Sequence, residues 1–278
     1  MELSYTQVVK STERGVNLNS GLNFSSNGEI EERLERVPTG IIDSLLMGGI
    51  PRGSVVLLIG DPKSGKTTFI TQFMYNQLLS GADVIGLLVD VARYEFISNA
   101  LDFGWGLMGY LNDRLHILDA YTQRLRGAPK FSFTEEVIPD IRDTSHLIDV
   151  IKDLTTKIIL KNPEVENPPV IGVVSSLTPM FFETEKKQIY KFLEDLKGFA
   201  HKNKQVWLLE MNSGVEEPQV ETIIKAIADG IIEMKLFEED RTLRRYLRVY
   251  GMRRTRHVLS WVPYDITENG IVLQNQSL

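Results

Sequence analysis

The sequence predicts an α/β fold in which a mostly parallel, twisted sheet has helices on both faces. Three observations lead to this prediction. Short apolar runs, typical of buried parallel strands, alternate with segments of helical periodicity along the 278-residue chain. A glycine-rich loop joins one of these runs to a helix. The last segments are strand-like and joined by short turns, which indicates antiparallel strands at the C-terminal end of the sheet.

Residues 1–36 are polar and rich in Ser, Asn and Glu, which predicts an N-terminal arm with a flexible part. Residues 17–28 have little to bury and are expected to be loose. Residues 29–36 place Ile30 and Leu34 among mixed charges, which predicts a short helix. An arm that ties one subunit to the next and plain disorder remain alternatives. The folded domain is expected over residues 37–278.

The elements of this domain are predicted in order from their periodicity. Residues 41–46 give a short apolar helix face that ends at Gly48-Gly49. Residues 122–143, which hold two prolines and mixed charge, are expected to form a long loop. Strands are predicted at 55–59, 84–89, 115–118, 170–174, 206–209, 230–237, 243–250 and 258–264. Helices are predicted at 69–79, 93–103, 144–160, 185–203 and 219–228.

The composition of the chain excludes several classes of site and of protein. The chain has no cysteine, so disulfides, thiol catalysis and cysteine-ligated zinc are excluded, and its four histidines lack metal-ligand spacing. The net charge of −6 gives no global field that attracts nucleic acid or an anionic membrane. No apolar run approaches the ~18 residues that span a bilayer, and the first residues carry no signal-peptide pattern. We expect a cytoplasmic protein that does not enter a membrane.

The loop after residues 55–59 carries the clearest chemistry, because GDPKSGKTT matches the phosphate-binding pattern GxxxxGK[ST] at every fixed position. Gly60 and Gly65 let the backbone approach phosphate closely, and the N–H groups of the loop and the next helix bind the anion. Lys66 can reach the β- and γ-phosphates, and the Thr67 hydroxyl can bind Mg²⁺. The strand–helix context disfavours a glycine turn that binds nothing. We therefore predict a nucleotide site formed by Gly60, Asp61, Pro62, Lys63, Ser64, Gly65, Lys66, Thr67 and Thr68.

The chain as a whole resembles the KaiC-like branch of the RecA-type P-loop ATPases over residues 37–273. Besides the loop, the resemblance rests on PTGIID (38–43), GGIPRG (48–53), NALDFGW (99–105), SLT (176–178), ADGII (228–232) and MR (252–253). It implies a RecA-like core, ATP bound between neighbouring subunits, and often a hexameric ring or filament. The family includes clock ATPases, archaeal recombinase paralogues and motility regulators, so the resemblance indicates fold and ligand more firmly than biological role.

The chain departs from the family where water is activated. The family usually carries two glutamates after the second strand, one of which activates the attacking water; these positions fall on Asp90 and Val91. Asp90 could act as the base with a carboxylate one methylene shorter, and a positioning error of about 1 Å can cost ~100-fold in rate. The alternative is that Asp90 only ends a strand.

Two further positions of the family pattern are altered. The third strand usually ends in an Asp that holds the Mg²⁺ shell, and that position is Ser175. Glu210, at the end of a neighbouring predicted strand, could partly compensate or could be a surface carboxylate. A family Lys that reaches the γ-phosphate of the adjacent subunit falls on Gly251, whereas Arg253 of the same motif is retained. Arg253 could act in trans on transition-state charge or be an ordinary strand arginine.

These departures leave the phosphate loop intact and erode the hydrolytic groups. We therefore expect a KaiC-like regulatory ATPase with slow or lost hydrolysis, in which ATP and Mg²⁺ control assembly of a homo-oligomer or binding of protein partners. The alternative is a recombinase paralogue that binds single-stranded DNA, because arginines and aromatics alternate near the C-terminal end. That cluster could equally face a neighbouring subunit. It comprises Arg241, Arg244, Arg245, Arg248, Arg253, Arg254, Arg256, Tyr246, Tyr250, His257 and Trp261.

Overall fold

A computed structural model describes residues 22–24, 30–32, 35–124, 140–161, 163–165 and 168–274. The chain divides into two units, Met1–Glu35 and Arg36–Leu278. In the first unit, β1 (Leu22–Phe24) pairs antiparallel with β2 (Ile30–Glu32). The helix predicted over residues 29–36 is therefore wrong, because the backbone of this segment pairs with a strand earlier in the chain. The rest of the predicted arm lies outside the described residues.

The second unit contains a nine-stranded sheet preceded by a two-stranded ribbon of β3 (Arg36–Val37) and β4 (Ile50–Pro51). Its strands are β5 (Ser54–Gly60), β6 (Asp83–Leu88), β7 (Leu115–Asp119), β8 (Val170–Ser175), β9 (Val206–Asn212), β10 (Gly230–Glu239), β11 (Thr242–Met252), β12 (Val262–Thr267) and β13 (Gly270–Leu273). Their spatial order is β13-β12-β11-β10-β5-β9-β8-β6-β7. The six strands from β10 to β7 are parallel, and the three beyond β10 are antiparallel. The predicted fold class is confirmed.

Helices cover both faces of the sheet and bury a separate hydrophobic core on each side. They are α1 (Lys66–Leu79), α2 (Arg93–Leu101), α3 (Thr144–Lys161), α4 (Thr178–Glu183), α5 (Lys186–Lys202) and α6 (Pro218–Ile227). The apolar residues of α1 and α2 pack on one face, and those of α3 to α6 pack on the other. Among the described residues, no helix combines the length and apolarity needed to cross a bilayer.

The structure differs from the predicted elements in short segments. The helix expected at 41–46 is a 3-10 turn over Asp43–Leu45, because Thr39 and Asp43 hydrogen-bond each other and the intervening backbone. The strand expected at 258–264 begins only at Val262, and β13 follows it after a tight turn. Helix α4 was not predicted at all. Within the predicted loop at 122–143, the structure describes only a 3-10 turn at Thr122–Arg124 and the last residues before α3.

The topology decides where ligands can bind. The chain leaves β5 through α1 and enters β6, which lies three strands away because β9 and β8 intervene. The loop after β5 therefore lies at a crevice at the carboxyl edge of the parallel strands, the position where open α/β sheets bind ligands. The last residues of β8 and β9 lie at the same edge.

Candidate functional site

The phosphate loop that follows β5 is anchored to the sheet through Asp61. The Asp61 N–H donates to the Met234 carbonyl of β10 at 3.1 Å. Its carboxylate accepts one hydrogen bond from the Ser213 hydroxyl and another from the Leu236 N–H, both at 2.9 Å. Asp61 was predicted to bind the nucleotide. Its N–H and its carboxylate instead hold the loop between β10 and the end of β9.

Glycine is required at both positions of the loop, because neighbouring atoms lie too close to the backbone for a side chain. A Cβ at Gly60 would lie 2.1 Å from the Met234 carbonyl oxygen, and one at Gly65 would lie 2.6 Å from the Ile266 side chain. Gly65 also has a φ of 99°, which a side chain rarely tolerates. The first hydrogen bond of α1 runs from the Phe69 N–H to the Gly65 carbonyl, so the three N–H groups before Phe69 precede the helical ladder and can bind an anion.

Lys66 begins α1 and is almost fully buried beside the loop. Its ammonium donates to the carbonyls of Gly60 at 3.0 Å and Asp61 at 2.8 Å. Burial lowers the pKa of Lys66, and the negative charges of Glu210, Asp61 and Asp90 oppose that effect. The ammonium is therefore held at the loop by neutral oxygens that a phosphate could replace.

Three side chains from neighbouring strands meet beside Lys66. The hydroxyl of Ser175, which ends β8, contacts a carboxylate oxygen of Asp90 at 3.3 Å and one of Glu210 at 3.0 Å. Asp90 follows β6 and is exposed to solvent, yet the protein around its carboxylate raises its pKa through desolvation. Val91, the other family glutamate position, packs against the core on the α1 side and carries no charge.

Glu210 is buried in the middle of the sheet, with 3% of its surface exposed. Strand β9 extends to Asn212, beyond the predicted end at 209, so Glu210 lies between β5 and β8 and the surface-carboxylate alternative is wrong. Burial, followed by the charge of Asp90, raises the pKa of Glu210 to about 7. Among the described residues, the Ser175 hydroxyl is the one hydrogen-bond donor to the Glu210 carboxylate.

Arg253 lies at the opposite edge of the sheet from the phosphate loop. It follows β11, which runs antiparallel to β10 and so returns the chain to the amino edge of the parallel strands. Its side chain is 63% exposed and pairs with Asp229 at 3.3 Å. Asp229 also pairs with Lys197 at 3.1 Å and accepts the Val55 N–H at the start of β5. The structure therefore does not bring Arg253 and Lys66 together within one subunit.

Comparison with known proteins identifies the family. A family model described as the KaiC ATPase matches residues 37–277. The chain belongs to the KaiC-like ATPase family. A UPF0273 protein of Aeropyrum pernix is 31% identical over 86% of this chain and 94% of its own length. The UPF0273 protein of Thermotoga maritima is 31% identical over 86% of this chain and 96% of its own length.

A solved structure shows the same fold. The KaiC-like protein of Pyrococcus horikoshii superimposes with a TM-score of 0.70 at 24% identity, covering 87% of this chain and all of that one. The RecA-like core expected from the sequence is thereby confirmed. Family membership also supports use of a nucleotide with Mg²⁺ and a tendency to oligomerise as general properties.

The residues of this KaiC-like chain fit a nucleotide with Mg²⁺. The Ser64 hydroxyl within the glycine loop is buried without a hydrogen-bond partner among the described residues, and the N–H groups at the start of α1 precede the helical ladder. Thr67 is exposed at the start of α1, where a hydroxyl can bind the metal. The oxygen groups of Ser175 and Glu210 are of the hard type that Mg²⁺ prefers.

Arg124 was missed by the sequence reasoning. Its guanidinium donates to the Val89 carbonyl at 2.7 Å and to Glu183 at 2.6 Å, and its charge lowers the pKa of Asp90. It lies just before the undescribed residues 125–139, and no motif marks it. Only the pairing of β6 with β7 reveals that it lies beside Asp90.

The raised pKa of Glu210 predicts a pH-dependent stability. Between pH 4.5 and about 7 the folded chain keeps a proton on Glu210 that the unfolded chain releases, so the free energy of unfolding falls as pH rises through this range. Glu210→Gln cannot ionise. Without nucleotide or Mg²⁺, it should match the wild type near pH 4 and exceed it at pH 8 by up to about 3 kcal/mol in denaturant unfolding.

Glu194→Gln, on the exposed face of α5, is the matched control and should leave the pH profile of the wild type unchanged. The neighbouring charges of Asp90 and Lys66 stay in place in both variants. A Glu210→Gln protein less stable than the wild type at pH 8 would show that the ionised carboxylate is well compensated in the fold.

Proposed function

We propose that this chain binds ATP with Mg²⁺ at residues 60–68, hydrolyses it slowly, and uses the bound nucleotide to control self-assembly or the binding of a protein partner. The proposal rests on a contrast between the phosphate loop and the catalytic positions of the same site. The loop is anchored and glycine-lined, with Lys66 buried beside it. The acids expected next to the metal and the attacking water are altered.

Slow hydrolysis follows from where the altered groups lie. Val91 removes one candidate base, Ser175 removes a charge from the metal shell, and Gly251 removes a cation from the motif around Arg253. Groups that act where charge develops in the transition state are typically worth several kcal/mol of barrier. Phosphate binding needs the loop N–H groups and Lys66 more than it needs these groups. Bound Mg²⁺ would neutralise phosphate charge, with Thr67 and Ser175 among the residues that would hold it.

Asp90 is the residue that we assign as the general base. The residue is exposed at the carboxyl edge of β6, and desolvation of its carboxylate raises its pKa, which increases its basicity. The positive charge of Arg124 opposes this rise in pKa and so stabilises the charged form of Asp90. The carboxylate is shorter by one methylene than the family glutamate, so water activation is expected to be inefficient.

Arg253 is assigned a role in trans. Its exposed guanidinium lies at the sheet edge opposite the loop, so a head-to-tail contact between subunits would place it at the ATP of a neighbour. Such heterologous contacts generate rings or open filaments. A homo-oligomer, as a ring or a filament, is therefore part of the proposal.

A second candidate function is binding of single-stranded DNA, which the cluster of arginines and aromatics favours. Arg248 lies 4.4 Å from the centre of the Trp261 ring and 5.1 Å from that of Tyr250. However, its guanidinium also pairs with Glu233 at 2.7 Å, so its charge is partly compensated within the chain. A binding titration with labelled single strands across salt concentrations tests this candidate, since phosphate contacts make log affinity fall linearly with log salt.

Lys66→Ala should abolish ATP binding, because the loop then lacks its cation for the β- and γ-phosphates. Equilibrium binding of a fluorescent ATP analogue measures the effect. Lys202→Ala, at the exposed end of α5, is the control and should bind as the wild type does. Unchanged affinity in Lys66→Ala would remove the nucleotide site from this loop.

Turnover of the wild type should lie well below the usual enzyme range of ~1–1000 per second. Asp90→Asn should lower it further while leaving ATP affinity nearly unchanged, because the amide cannot accept the proton of water. Phosphate release and ATP binding are measured side by side, with the exposed Asp102→Asn as control. Tens of turnovers per second that survive Asp90→Asn would place the base elsewhere.

Mixing two inactive variants tests the role of Arg253. Asp90→Asn and Arg253→Ala should each hydrolyse ATP poorly alone. A 1:1 mixture should regain up to about a quarter of wild-type turnover, since randomly assembled neighbours restore that share of composite sites in a head-to-tail assembly. Arg256→Ala, which removes an exposed arginine nearby, is the control. Alone, it should hydrolyse ATP as the wild type does. A mixture that gives only the mean of the two variants would contradict action in trans.

A further inference from the structure

We infer that Glu210 is the acid of the metal shell, acting through the hydroxyl of Ser175 in place of the carboxylate that the end of β8 lacks. This inference deepens the proposed function and rests on ATP binding at the loop. It assigns a metal-site role to a residue that the family pattern does not mark.

Strand geometry brings the two residues together. β8 and β9 are adjacent and parallel, and β9 separates β8 from β5, the strand that leads into the phosphate loop. Glu210 is in register with Leu58 of β5, two residues before Gly60. Leu58 and Leu208 belong to the core on the α1 side, so the side-chain alternation of strands places Glu210 on that same face.

The burial of Glu210 is unusual for a structural acid. Only 3% of its surface is exposed, and within the described part of the chain its carboxylate accepts only the Ser175 hydroxyl, at 3.0 Å. Lys66, a nearby cation, directs its ammonium to the Gly60 and Asp61 carbonyls instead. Burying a charged carboxylate without a bonded cation costs free energy. A hydrated divalent ion beside the carboxylate would offset that cost.

The chemistry of Mg²⁺ suits this arrangement. Mg²⁺ keeps several of its waters and uses few protein carboxylates in addition to the substrate phosphates, so an acid can act on it through a water or a hydroxyl. A serine hydroxyl has one proton to donate and two lone pairs to offer. When the Ser175 hydroxyl donates to Glu210, the lone pairs of that hydroxyl remain for the metal or a metal-bound water. The negative charge of the Glu210 carboxylate then lies one hydrogen bond further from the metal.

The distribution of charge also distinguishes Glu210 from Asp90. Asp90 is exposed and lies at the end of β6, on the far side of Ser175 from β9. Burial lowers the pKa of Lys66, and a charge on Glu210 opposes that effect more than the charges of Asp61 and Asp90 do. We therefore assign the metal shell to Glu210 and water activation to Asp90.

Binding of a fluorescent ATP analogue, with excess Mg²⁺ and with EDTA, tests this division. In the wild type, Mg²⁺ should strengthen binding. Glu210→Gln keeps the shape and a hydrogen-bond acceptor for Ser175 but removes the charge. It should reduce the Mg²⁺-dependent gain in affinity by roughly 10- to 100-fold, as loss of an outer-shell partner does, while binding in EDTA is unchanged or slightly tighter.

Two more variants make the result specific. Ser175→Asp combined with Glu210→Gln returns one carboxylate to the site and should restore most of the Mg²⁺-dependent gain. Glu210→Asp keeps the charge but shortens its reach and should fall between the wild type and Glu210→Gln. Glu194→Gln again serves as the control. Electron paramagnetic resonance of Mn²⁺, titrated into each protein with the analogue bound, gives the affinity for the ion directly.

The outcomes separate this inference from the proposed function. If the wild type binds no nucleotide in either condition, the proposed function itself fails. If the wild type shows a Mg²⁺-dependent gain that Glu210→Gln retains in full, Glu210 is only a buried structural acid and the inference is overturned. Failure of Ser175→Asp to rescue a folded Glu210→Gln protein, as judged by its thermal melt, would also overturn it.

Discussion

The anchoring of the phosphate loop between β9 and β10 is the constraint on which the candidate site depends. Asp61 binds β10 and Ser213, the residue that follows β9, and the Ser213 N–H adds a further hydrogen bond to the Gly60 carbonyl at 2.9 Å. The Tyr264 hydroxyl of β12 donates to the Ser64 carbonyl, so an antiparallel strand also holds the loop. With the loop held from both sides, the N–H groups at the start of α1 keep one geometry, which reduces the ordering that binding would require.

Part of this site could be predicted from the sequence alone. The loop, its glycines and Lys66 form a contiguous pattern whose chemistry follows from spacing alone. The alternation of apolar runs and helical periodicity likewise predicts the parallel sheet, since each element carries its own signal. The family motif marks Arg253, but the sequence did not indicate that this residue lies at the far edge of the sheet or that it pairs with Asp229.

Other features could not be predicted from the sequence, because they depend on which strands are neighbours in the sheet. Glu210 ends an apolar run and looks like a strand terminus, whereas β9 continues past it and buries it against β8. The pairing of β1 with β2 joins residues that are six to ten positions apart in the chain, and it leaves no periodic signal. Arg124 lies beside Asp90 only because β7 pairs with β6. In each case the feature depends on tertiary structure, which the local sequence pattern does not contain.

The opposite placement of Arg253 and the phosphate loop has a consequence for counting. If each composite site needs one loop and the arginine of the next subunit, an open filament of n subunits has n − 1 sites, because one end lacks a partner. A closed ring of the same n subunits has n. The turnover per chain would then rise with filament length and reach its ceiling on closure, so the ATPase rate would itself act as a gauge of how far assembly has gone.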